Sequence, residues 1–83
     1  MRAAEMLPDD TNQLILNGIP VRKGSVGAFL ANARVLLDPA SEAAARSEAE
    51  KDLIELVPAL RALGLFEVMQ IKDERLRALV DAR

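Results

Sequence analysis

The chain has no cysteine, no histidine, no tryptophan and no tyrosine, and its only aromatic residues are Phe29 and Phe66. Each absence excludes something. Without cysteine there are no disulfides. Without cysteine and histidine, the usual zinc ligands and the common nucleophile–base pairs are missing. So is the one side chain that titrates near neutral pH in its ordinary state. Chemistry would have to come from Asp, Glu, Lys, Arg or Ser, and no constellation of these suggests a reaction. The expectation is a non-enzymatic protein that holds no metal and needs no cofactor.

Charge of one sign is also lacking. Eleven basic and thirteen acidic residues are interspersed along 83 residues, for a net charge of −2. No basic block addresses a nucleic-acid backbone. Arg75, Arg77 and Arg83 are interleaved with Asp73, Glu74 and Asp81. The longest strictly apolar run, Ala28-Phe29-Leu30-Ala31, falls far short of the roughly 20 residues that span a bilayer. The first ten residues show no signal-peptide apolar core. Neither nucleic acid nor membrane is expected as a partner, and the cytoplasm is the expected location.

What is present is aliphatic. Apolar residues make up 51% of the chain, but they are mostly Ala and Leu, and an Ala buries little area beside the ~150–250 Å² of an aromatic ring. A chain this small with so thin a core commonly gains stability from disulfides, a metal or a partner subunit. With disulfides excluded and the usual metal ligands missing, association with a second copy or with another protein remains.

Residues 1–12 carry no periodicity and read as a flexible N-terminus preceding a single small domain over 13–83. Asn17-Gly18 between aliphatic runs is the strongest short-range signal for a two-residue type I′ hairpin turn. It predicts strands of about 13–16 and 19–22, with Leu16 opposite Ile19, Ile15 opposite Pro20, Leu14 opposite Val21 and Gln13 opposite Arg22. One face then carries Leu14, Leu16, Ile19 and Val21, so turn chemistry and hydrophobic alternation select the same register. Pro20 blunts the outer edge of the second strand, so any third strand should pair beside Gln13–Leu16.

A helix over about 25–37 follows, with Ser25 as N-cap and Val26, Phe29, Leu30, Ala33, Leu36 and Leu37 as its core face. Asp38-Pro39 predicts the cap and first residue of a long helix over about 39–63, kinked or broken at Pro58 and closed by Gly64. Its stripe is Ala45, Ala49, Leu53, Leu56, Leu60 and Leu63. Glu42–Arg46 and Arg46–Glu50 are spaced as ion pairs on its exposed side. Phe66, Val68, Met69 and Ile71 favour a short third strand at about 65–71 beside strand one, although a helical reading also works. Asp73 caps a last helix of about 73–82. The fold class is α+β, dominated by helix.

Two places invite a function. Arg22, Lys23, Gly24 and Ser25 set two cations ahead of a helix N-terminus, where a phosphate or carboxylate could bind. The blander reading has Gly24 easing a tight junction, Ser25 capping, and the cations solvated. Gly27, Ala28, Ala31 and Val35 form a small-residue flank on which another helix could pack closely. The second helix of the same chain is the preferred occupant and a dimer partner the alternative. The carboxylates Glu48, Glu50, Asp52 and Glu55 scatter around a helix and read as a solvated face rather than a cation site. The leading function is a protein-interaction module, a homodimer; the alternative is a binder of a small anion at Arg22–Gly27.

Overall fold

A computed structural model describes residues 13–16, 18–22 and 24–83. Their order is β1 (Gln13–Leu16), β2 (Ile19–Arg22), α1 (Ser25–Leu37), α2 (Ala43–Leu63), α3 (Leu65–Val68) and α4 (Glu74–Asp81). The fold is helix-dominated α+β. Residues 1–12, expected to be flexible, lie outside the described residues, as do Asn17 and Lys23.

β1 and β2 pair antiparallel in the register that the turn requires: Leu16 with Ile19, Ile15 with Pro20, Leu14 with Val21 and Gln13 with Arg22. Gly18 has φ +79°, the sign a type I′ turn demands. Val21 is buried, while Ile15, Pro20 and Arg22 face water. The inner face of β2 lies against α2, and α1 packs along α2.

Four local expectations meet the structure, and three of them are corrected. First, the N-cap of α1 is Gly24, not Ser25. Ser25 is the first helical residue, and its Oγ donates to the Arg22 carbonyl oxygen at 2.8 Å, which satisfies a buried hydroxyl. Second, Pro39 does not open α2. Asp38 adopts the extended conformation favoured before proline, and its Oδ1 accepts from the Ala40 N–H at 2.9 Å. This turn uses up residues 39–42, so α2 starts at Ala43. Third, of the kink or break expected at Pro58, the break does not occur: α2 runs through the proline as one helix, the outcome its continuous stripe favours, to Gly64, whose φ of +82° closes it as expected. Fourth, Arg46 turns back toward the chain: its Nη2 donates to the Asp38 carbonyl oxygen at 2.8 Å, and its Nε is buried without a partner.

The third strand is also absent among the described residues, where the sheet has two strands. Leu65–Val68 forms one helical turn, with the Met69 N–H donating to the Leu65 carbonyl oxygen at 2.9 Å. The reason is tertiary. A helical turn brings the consecutive residues Leu65 and Phe66 onto the core, whereas strand alternation would send one of them away. Phe66 meets Phe29 edge-on, with centroids 6.0 Å apart and planes at 61°.

The core is Phe29 and Ala33 of α1, Leu53, Val57 and Leu60 of α2, and Leu76 and Val80 of α4, with Leu36, Leu56, Leu63, Leu65, Phe66, Ile71 and Leu79 packed around it. Ala49 of the expected α2 stripe is buried, and Ala45 is exposed. Asp73 caps α4 as expected, its Oδ1 accepting from the Leu76 N–H at 2.9 Å. At the other end of α4, the Arg61 guanidinium donates to the Val80 carbonyl oxygen at 2.9 Å and to that of Arg83, where a cation also suits the helix dipole.

Candidate functional site

The feature that stands apart from this core is an apolar groove. α1 buries Phe29 and Ala33 against α2. Val26, Leu30 and Leu37 recur at spacings of four and seven, which places them on one flank beside that core face. All three are exposed, Leu30 to 51%. They face the segment from Leu65 to Ile71 across an open cavity of about 400 Å³. Phe29 and Ala33 lie at its base side, Phe66 and Met69 form the far wall, and Arg34, Gln70, Lys72 and Asp73 carry its polar edge. Met69 is 63% exposed and Val68 85%.

The groove follows from the chain's local chemistry. Gly64 reverses the chain at the end of α2, and the single turn of α3 directs Phe66 inward onto Phe29. Met69 leaves the turn in an extended conformation, residues 69–71 lead irregularly toward the Asp73 cap, and the Arg77 Nη1 donates to the Ile71 carbonyl oxygen at 3.1 Å. Val26, Leu30 and Leu37 stay exposed beside that strap. The described residues lining the groove are mostly apolar, a surface suited to apolar side chains.

The small-residue flank lies on another side of α1. Gly27, Ala28 and Ala31 are exposed and Val35 is half-buried. The preferred occupant, the second helix of the same chain, is not there. A Cβ built on Gly27 would meet nothing within 4 Å. α2 instead takes the Phe29–Ala33 side, because an aromatic and its neighbours bury far more area than glycine and alanine can.

At the strand–helix junction, Arg22 is exposed, Gly24 is the cap, and the Ser25 hydroxyl is buried and turned onto the Arg22 carbonyl oxygen. Lys23 lies outside the described residues. The carboxylates Glu48, Asp52 and Glu55 stand on the exposed side of α2. No helix among the described residues is long and apolar enough to cross a membrane.

The groove itself was missed by sequence reasoning, which assigned Val26, Leu30 and Leu37 to the core and Phe66–Ile71 to a strand. A signal was available. The apolar stripe of α1, from Leu36 round to Leu30, is wider than one neighbouring helix covers, and small residues occupy most of the rest. Compared with known proteins, the chain matches no protein family, no curated protein and no solved structure.

Proposed function

We propose that the chain is a non-enzymatic protein-interaction module that works as a homodimer. One observation carries this reading. Of the thirteen residues of α1, seven are exposed, namely Val26, Gly27, Ala28, Leu30, Ala31, Arg34 and Leu37, and only Arg34 is charged. A helix that is apolar nearly all round belongs in an interior. Here the chain supplies an interior on one side only, and a partner supplies the other.

The energetics fix where to look. Covering a half-exposed Leu, Val or Met returns on the order of 1 kcal/mol, half the value of full burial. Val26, Leu30, Leu37, Val68 and Met69 on two copies therefore give about 10 kcal/mol, against an association cost of ~4–15 kcal/mol. The expected dimer is weak, with a dissociation constant of micromolar order or above. Size-exclusion light scattering over about 10–500 µM brackets that range. Mass should rise toward twice the monomer with concentration. A constant 9.0 kDa species across the range overturns the proposal.

A further inference from the structure

We infer that α4, together with the strap of residues 69–73 that leads to it, is a detachable cover: it opens as one unit while α1, α2 and the hairpin stay folded, and the Arg61 guanidinium is the latch that holds it shut. Three observations lead there.

The first is how α4 is held. It has only eight residues, and an isolated helix shorter than ~12–15 residues is marginal in water, so α4 stays helical only while docked. Its docking rests on two buried side chains, Leu76 and Val80, with Leu79 half-buried beside them. α1 and β2 approach α2 closely along their backbones, and α4 approaches no described element as closely.

The second is the open space along both flanks of α4. A cavity of about 960 Å³ is lined by Leu76 and Leu79 on one side and by Leu36, Ala43 and Ser47 on the other. Another, of about 360 Å³, is lined by Val80 and Asp81 together with Phe66 and Met69. An element with few buried contacts and open flanks belongs to the part of a structure that opens first. Leu76 also lines the groove beside α1, so its departure joins that groove to the larger cavity.

The third is the latch. Arg61 of α2 donates through Nη2 to the Val80 carbonyl oxygen at 2.9 Å and through Nη1 to that of Arg83. Both acceptors stand at the end of α4, where the bonds of the helix itself run out. One side chain of the part that stays folded therefore holds the far end of the cover. The Arg77 bond to the Ile71 carbonyl oxygen lies within the cover and travels with it. Every buried apolar residue outside α4 among the described residues, from Val21 to Leu60, belongs to β2, α1 and α2, the part left behind.

Hydrogen exchange of the full chain, read at single residues and at low, constant protein concentration, tests this. Amides bonded within α4, from Arg77 to Ala82, should exchange at least about tenfold faster than those around Leu53 and Val57 in the middle of α2, and with the weaker urea dependence of an opening that exposes little surface. Arg61→Ala should speed exchange in α4 about tenfold, the loss of hydrogen bonds from a charged group, and Arg61→Lys should speed it less. Ala49→Gly lies in the part that stays folded. It should speed exchange around Leu53 and Val57 about fivefold through helix propensity and leave α4 unchanged, because the contacts it weakens persist in the open form. Val21→Ala, outside the cluster that holds Leu76 and Val80, gives the same reading should Ala49→Gly not fold. Amides of α4 that exchange as slowly as those of central α2, or that follow Ala49→Gly by the same factor, mark one cooperative unit and overturn the cover. Exchange in α4 indifferent to Arg61→Ala overturns the latch.

Discussion

Replacing Leu53 with alanine measures whether the thin core described above is what holds this chain together. Leu53 sits in the middle of α2, has no exposed surface, and belongs to one buried cluster with Phe29, Ala33, Val57, Leu60, Leu76 and Val80. Truncation removes three buried carbons and leaves a cavity, a change that costs about 3–5 kcal/mol. An 83-residue domain has a total stability of only ~4–12 kcal/mol. The variant should therefore lose at least a quarter of its stability and melt roughly 12–40 °C lower. Leu30→Ala is the matched control, with the same atoms deleted from a side chain that is 51% exposed. In dilute monomer it should cost under about 1 kcal/mol, since half its transfer energy is not gained on folding and alanine is the better helix former. Urea titrations followed by circular dichroism give both numbers. Near-equal costs at the two positions, or a Leu53→Ala loss under about 1 kcal/mol, would refute the division between buried core and open flank. On the proposed homodimer, the Leu30→Ala cost should grow at high protein concentration, because binding to a second copy would stabilise the folded state only while the interface is intact.

Three smaller perturbations test the joints of the fold. Asp73→Ala removes the acceptor for the Leu76 N–H and should cost about 1 kcal/mol by chemical denaturation, with Asp73→Asn nearly neutral. Gly64→Ala forces a side chain into φ +82° and brings its Cβ to 3.2 Å from the Glu67 Oε2; a loss of about 1–2 kcal/mol is expected, and a smaller one for Gly64→Asn. Pro58→Ala restores an N–H to the middle of α2 and should raise the melting temperature, by a gain of about 1 kcal/mol or more. A lower melting temperature there would mean that the packing of α2 depends on the proline.

What could be read from the sequence was what neighbours in the chain decide. The hairpin register followed from Asn17-Gly18 and the alternation around it; the Gly64 and Asp73 caps followed from residue type and position. What could not be read depended on distant partners. Leu65 to Ile71 carries the composition of a strand, yet Phe29, far away in sequence, takes Phe66 and imposes a helical turn. Asp38-Pro39 has the chemistry of a helix start, but the Asp38 carboxylate reaches only as far as Ala40 and closes a turn instead. For the site, periodicity grouped Val26, Leu30 and Leu37 on one side of α1, and it could not say that the described elements of the chain leave them exposed. The small-residue flank at Gly27 and Ala31 was likewise visible, but which flank α2 would choose depended on the buried area offered by each.

The two long helices provide an internal comparison that bears on the apolar face. Both have one side on the core and one side away from it. α2 dresses its outer side in Glu48, Lys51, Asp52 and Glu55, all exposed, which is the pattern of a helix whose neighbour is water. α1 leaves Val26, Leu30 and Leu37 exposed, with a single charge among its seven exposed residues. Fold stability gives no reason for that difference, because a polar residue at Leu30 or Leu37 would cost the monomer little and would lower the tendency of the chain to associate. Since the same chain treats the outer sides of its two long helices differently, the apolar flank of α1 is the feature that the proposed homodimer would account for and that the packing of the described core does not require.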